Sequence, residues 1–200
     1  MTAIILNIAL FVLGTIGCVR ELRREGVAIC RYYTFDSNVL GMMAGGLMSV
    51  SLVFQMIMGG DPPLWVITLK FSAAVCLSLT FLVVVFVLCP MEGGYVGGLF
   101  SGNLIYQHTL CPILAVVSFL VFDPFPTKSL NLVFLAWIPT AVYAIVIVIL
   151  NIKKVLEGPY PFLYVYRQPW YISLAWALGI VGSNLAFAFL MYWIKIHIGS

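Results

Sequence analysis

Long apolar runs alternate with short polar breaks from one end of this chain to the other. The runs cover residues 3–19, 35–58, 65–88, 104–122, 130–152 and 170–194. Each approaches the ~20 residues that an α-helix needs to cross ~30 Å of hydrocarbon. The breaks carry turn chemistry: Gly59-Gly60-Asp61-Pro62-Pro63, Gly93-Gly94 with Gly97-Gly98, Asp123-Pro124-Phe125-Pro126 and Gly158-Pro159-Tyr160-Pro161. The pattern predicts an all-α fold, one domain over residues 1–200 built as a bundle of six transmembrane helices. The first run lacks a basic leader and a small-residue cleavage site and is followed by Arg20, Arg23 and Arg24, so it reads as a retained span. No internal repeat is evident.

Composition agrees with the lipid bilayer as the chain's surroundings. Of 200 residues, 63% are hydrophobic and 8% charged, against roughly 25% charged in a soluble domain. The net charge of +3 sits in loops, with no basic face, so nucleic acid is not an expected partner. Arg20, Arg23, Arg24, Arg31, Lys153, Lys154 and Arg167 fall in the first, third and fifth loops, while the opposite side has Lys70, Lys128 and Lys195. Cytoplasmic loops are enriched in Lys and Arg, which predicts that both termini lie outside the cytoplasm. The five cysteines form no CxxC pair and read as apolar packing residues.

Polar residues inside the runs carry the functional reading. His108 is the only histidine within an apolar run, and an ionisable group there marks a functional site unless it is paired. Pro112 lies four residues on, where it cannot donate to the His108 carbonyl, so a kinked or locally open helix is expected. The second run begins Arg31-Tyr32-Tyr33-Thr34-Phe35-Asp36-Ser37-Asn38. These polar residues suit helix capping, and Thr34, Asn38, Gly41, Gly45 and Ser49 form a small-residue stripe suited to close packing. His108, Cys111, Ala115 and Ser118 form a second stripe. Both helices start from the same membrane face, with His108 only ~7 Å beyond Asn103, and the Tyr160 segment belongs to that face.

A hydroxyl and an imidazole at one depth are the minimum for acyl transfer, since an alcohol is a poor nucleophile until a base takes its proton. Thr34 is the candidate nucleophile, Ser37 its rival, and His108 the base. The first-turn amides of helix two, Asn38 and Gln107 are candidate oxyanion donors, and Ser37, Tyr160 and Asn184 are further candidates for substrate binding or oxyanion contact. An orienting carboxylate is not evident, because Asp36 points away from Thr34, and Glu92 and Glu157 are unplaced loop residues. The acyl chain is expected between helices two, four and six, with Asn38, Ser183 or Asn184 polar within the chamber. A non-enzymatic alternative is a lipid-binding or small-solute or proton transport protein in which His108, Asp36 and Asn184 line a polar path. His197 lies at the opposite face, and a lone histidine is insufficient for zinc, so no metal and no cofactor is expected.

Three segments carry a resemblance to a known family: Tyr33-Thr34-Phe35, His108-Thr109-Leu110-Cys111-Pro112-Ile113-Leu114 and Gly158-Pro159-Tyr160-Pro161-Phe162-Leu163. In order and spacing the chain resembles the androgen-induced and androgen-dependent-TFPI-regulating family of six-span membrane proteins, together with its bacterial branch. The resemblance implies an intramembrane threonine hydrolase (an esterase of lipid metabolism) acting on fatty acid esters of hydroxy fatty acids. It also implies Thr34 and His108 as essential residues. Characterised members have an acidic residue three positions after the threonine, where this chain has Ser37. Ser37-Asn38 resembles the bacterial branch, which implies a bacterial inner membrane and leaves the fatty acyl ester substrate open.

Overall fold

The computed structural model describes residues 1–92, 94–126 and 129–198; the side chain of Glu92 and all of Lys128 lie outside the described residues. Among the described residues, six helices are long and apolar enough to span a membrane: Thr2–Arg31, Tyr33–Met58, Leu64–Met91, Ile105–Phe122, Asn131–Ile152 and Trp170–Ile198. They are numbered one to six here, and the architecture is the all-α bundle that the apolar runs predict.

Helix three is the hub. Some 67% of its most apolar window is buried, against 17–39% for the other five, and it packs on helices two, four, five and six. A helix apolar on every side has no preferred outer face and belongs inside. The outer helices instead present apolar side chains outward, among them Phe54, Ile57 and Leu178. Phe71 of helix three stacks on Phe119 of helix four at 4.9 Å, with Phe125 edge-on to both. The small-residue stripe of helix two does what its composition predicts. A Cβ on Gly45 would sit 2.9 Å from the Asn7 carbonyl of helix one. One on Gly41 would sit 2.6 Å from the Leu77 side chain of helix three.

Two boundaries differ from the expected runs. Helix one continues from Val19 through Glu25 and then tightens into a 3-10 turn over Gly26–Arg31. Arg, Glu and Leu are good helix formers, and Arg24 pairs with Glu21 at 2.8 Å, so the basic cluster extends the helix and does not break it. Gly26, at φ +63°, stops it. Between helices three and four the chain forms a short helix, Tyr95–Phe100, where only glycine breakers were expected.

Helix four departs from α geometry as the Pro112 argument anticipates, with a shifted detail. Residues Ile105–Leu110 form a π-helical stretch, Cys111–Val117 an α-helix, and Ser118–Phe122 a second π stretch. The Cys111 amide donates to the Tyr106 carbonyl, five residues back. In that register the acceptor that Pro112 fails to serve is Gln107, not His108. Asn38 of helix two fills the place, donating from Nδ2 to the Gln107 carbonyl at 3.1 Å. A second correction concerns charge: Lys70 and Lys195, expected at the loop edge, are 0% and 6% exposed. Lys70 Nζ lies 3.7 Å from Asp123 Oδ2, Asn7 donates to Asp123 Oδ1 at 2.6 Å, and Lys195 donates to the Leu120 carbonyl at 3.2 Å. An unpaired charge is too costly to bury, and Lys70 accordingly faces the Asp123 carboxylate while Lys195 is held by the Leu120 carbonyl.

Candidate functional site

Thr34 stands in the first turn of helix two, where the chain leaves an extended Tyr32. Its amide donates to the Tyr160 phenol oxygen at 3.3 Å, and its hydroxyl lies 3.3 Å from that same oxygen. The first-turn amides of a helix have no partner within it, so Tyr160 serves as a cap supplied from the loop between helices five and six. The Tyr160 ring is fixed in turn, stacked on Phe162 at 5.1 Å and edge-on to Tyr32 at 5.9 Å. Burial pushes the Tyr160 phenol up to about 12, so it stays protonated and works as a hydrogen-bond donor. Tyr143 of helix five completes this rim, accepting from the Tyr33 amide at 3.2 Å and donating to the Arg31 carbonyl at 2.7 Å.

Beyond Thr34 lies an apolar cavity of ≈ 70 Å³, walled by Leu79, Val84, Ile147, Phe162, Ala177 and Ile180. These residues come from helices three, five and six and the last loop. The expected chamber between helices two, four and six is therefore corrected: helix four lines no part of this cavity. The reason is helix three, which fills the centre and holds helix four away from the Thr34 side.

His108 faces a different concavity, of ≈ 700 Å³, whose wall includes Gly94, Gly97 and Gly98 of the short connecting segment and Leu104. The two hollows share Val84 and Leu88 of helix three, which lie in its own π-helical stretch, Val84–Leu88. His108 Nδ1 is 2.6 Å from the Gly98 carbonyl. A carbonyl only accepts, so Nδ1 carries the proton, and in the neutral ring Nε2 holds the lone pair that a base needs. The next residue repeats the contact, Thr109 donating to the Leu99 carbonyl at 2.8 Å. Both acceptors are last-turn carbonyls of the short helix, which have no partner within it.

The remaining sequence-predicted residues divide clearly. Asn38 bridges the two helices, donating to the Thr34 carbonyl at 2.8 Å and to Gln107 as above. This puts Thr34 and His108 each about one turn or less from a shared cross-link. Ser37 donates to the Thr34 carbonyl and pairs with Thr80 at 2.8 Å, a buried arrangement that holds helices two and three together. The Gln107 side chain packs toward Gly17 of helix one, away from the Thr34 cavity. Asn184 donates to the Val75 carbonyl at 3.0 Å and ties helix six to helix three outside the cavity. Glu157 pairs with exposed Arg167 at 2.6 Å, and Asp36 faces a groove of its own.

One functional group was missed by sequence reasoning. The group that orients His108 is a backbone carbonyl, Gly98, and no side-chain search finds it. Its signal was the second glycine pair: a Cβ on Gly98 would meet Cys89 Sγ at 2.6 Å, a close approach that only glycine allows. Tyr160, a candidate from the sequence, meets Thr34 directly. Among the described residues, no group of three or more His, Cys, Asp or Glu is placed to hold a metal ion. No protein-family model, no curated protein and no solved structure matches the chain.

Proposed function

We propose that the chain is an intramembrane lipid ester hydrolase in which Thr34 is the nucleophile and His108 the general base. The observation that carries the reading is the apolar cavity of ≈ 70 Å³ whose wall includes Thr34, with an oriented imidazole in the adjoining hollow. An acyl chain occupies the cavity and brings its ester carbonyl to Thr34. The Tyr160 phenol, fixed 3.3 Å from the Thr34 hydroxyl, donates to the oxyanion as it develops, a contribution often among the largest in acyl transfer. His108 Nε2 takes the Thr34 proton directly or through one water, after Leu88 and Val84 shift, and returns it to the leaving alcohol. Water then releases the acyl group. This is also the activity that the resemblance at Thr34, His108 and Pro161 implies. The substrate class is a fatty acyl ester, including esters of hydroxy fatty acids.

We place the chain in a bacterial inner membrane with both termini outside the cytoplasm. In support, Lys153, Lys154 and Arg167 are exposed on the Thr34 side, whereas Lys70 and Lys195 sit within the bundle and leave the other side poor in loop charge. The experiment for the enzyme reading is hydrolysis of long-chain acyl esters, and fluorophosphonate labelling, by purified protein. Loss of both in Thr34→Ala and His108→Ala proteins that keep their thermal transition supports the reading; unchanged turnover in either removes it.

A specific observation favours a second reading, a non-enzymatic lipid-binding or transport protein. The Thr34 hydroxyl is engaged by Tyr160 and opens on a different hollow from His108. Lipid binding or solute flux in liposomes, abolished by His108→Ala and unaccompanied by ester turnover, would decide for it.

A further inference from the structure

Helix six is packed over only half of its length. From Asn184 onward it buries Asn184, Ala188, Met191, Tyr192 and Lys195, a helical spacing that presses one face on the bundle. Of the described residues 170–183 none is buried, although Ala177, Ile180 and Val181 line the Thr34 cavity. Helix five matches it on the facing side: between buried Thr140 and buried Ile147, its cavity-lining Ala144 is only half-buried. Small residues on facing helices ordinarily let the backbones close. Here an aromatic side chain of the last loop stands in the way. Phe162 is buried in the cavity wall and lies against the Trp176 ring of helix six, centroids 5.6 Å apart, so Ala144 and Ala177 border the cavity. This window is clasped at both ends. The Phe162 and Trp176 rings close one, and at the other the Trp137 indole of helix five donates to the Val181 carbonyl at 3.0 Å.

Ala177 and Val181 lie ~10 Å and ~16 Å beyond Trp170 along helix six, and the exposed Trp170 indole belongs at headgroup level. The window therefore opens within the hydrocarbon of one leaflet. Its border, Ala144, Val148, Ala177, Ile180 and Val181, carries no polar side chain. The clasps at Trp176 and Val181 are ~7.5 Å apart along the axis, room for one alkyl chain at carbon contact distances of about 4 Å. Water finds no hydrogen-bond partner on such a border, and a lipid headgroup would give up its hydration there. An alkyl chain loses no hydrogen bond and gains dispersion contact with the walls.

We propose that acyl chains of bilayer lipids enter the Thr34 cavity sideways, through the window between helices five and six, with Ala144 and Ala177 as its gateposts. This route rests on the reading of that cavity as an acyl-chain site, and it fixes the substrate as a membrane-resident lipid that threads one chain inward. The test is photolabelling in phosphatidylglycerol liposomes with palmitic acid carrying a mid-chain diazirine. Thr34→Ala protein is used, so that turnover plays no part. The reporters are Leu79 and Ile147, cavity-wall residues only 3% and 4% exposed, which a chain lying on the outside of the bundle does not reach. Both are expected to be labelled. Ala144→Trp and Ala177→Trp are each expected to lower that label at least about tenfold. Leu178→Trp, on the exposed face of helix six, is expected to leave it unchanged. All three variants should keep their thermal transition. Label that survives in both gatepost variants overturns the proposal, and so does no label at either reporter, an outcome under which ester turnover by the native protein would keep the hydrolase reading alone. Label that falls in the gatepost variants, with no ester turnover by the native protein, upholds the route and overturns the hydrolase reading.

Discussion

At the end of the bundle that holds Lys70 and Asp123, buried polar groups turn toward one another and are sealed by Phe71, Phe119, Phe125 and Tyr192. At the end that holds Thr34 and His108, polar groups are capped by a loop phenol and a carbonyl of the short helix and face hollows. Both ends place chemistry inside a membrane bundle at a cost in desolvation. The first offsets that cost through pairing within the protein. The second keeps its groups next to space, which is the arrangement a site that handles a ligand requires. Burial of a charged residue is therefore a poor pointer to function by itself, and burial beside a cavity a better one.

Substitutions at the two ends separate these roles. The largest effect is expected at the cavity end: Thr34→Ala and His108→Ala are each expected to lower ester turnover by about 10²–10⁴-fold. Their thermal transitions should move little, which differential scanning fluorimetry in detergent checks. Turnover in the native protein is expected to show no inflection from Tyr160 below about 12. At the sealed end the sign of the contrast reverses. Asp123→Ala is expected to cost about 3–5 kcal/mol of stability, because it leaves Lys70 buried and unpaired, and a Lys70→Met, Asp123→Leu pair should recover most of it. Activity per folded molecule should be unchanged, as a turnover assay normalised to folded protein would show.

Smaller effects sharpen the comparison. Asn38→Ala should cost about 1–3 kcal/mol, since the Gln107 carbonyl loses its partner in a buried position, and Pro112→Ala in the same protein should return part of it by restoring a backbone donor. In stability the smallest is Tyr160→Phe, expected to cost about 0.5–1.5 kcal/mol through the two contacts to Thr34 and read as a slightly earlier melt, although loss of the oxyanion donor should lower turnover by about 10²–10³-fold.

The six spans were legible from apolar run length alone, because a bilayer imposes a length on a helix that few other environments do. The glycine stripe of helix two was legible for a similar reason: only small side chains permit the approach seen at Gly45. Pro112 announced a disturbed helix, and the disturbance is there, but whether the ladder slips to a spacing of five is decided by neighbours such as Asn38. Lys70 and Lys195 misled because charge near a run's end ordinarily means an interface, and the groups they meet, Asp123 for Lys70 and the Leu120 carbonyl for Lys195, are distant in sequence. The position of helix three at the centre depends on all the other helices together, so the expected chamber was drawn between the wrong walls. The Gly98 carbonyl was invisible for a simpler reason, since every residue has one.

The wide turn at Ile105–Leu110 also says how that region tolerates change in length. A π stretch holds one residue more than an α ladder accommodates over the same rise, so it behaves as a stored insertion. Deleting a single residue there, Leu110 for instance, would let the ladder close to α spacing over nearly the same rise and leave the helix beyond the stretch close to its original phase. Only the side chains inside the stretch, the imidazole among them, would be re-aimed around the axis, although every side chain of the site was still encoded.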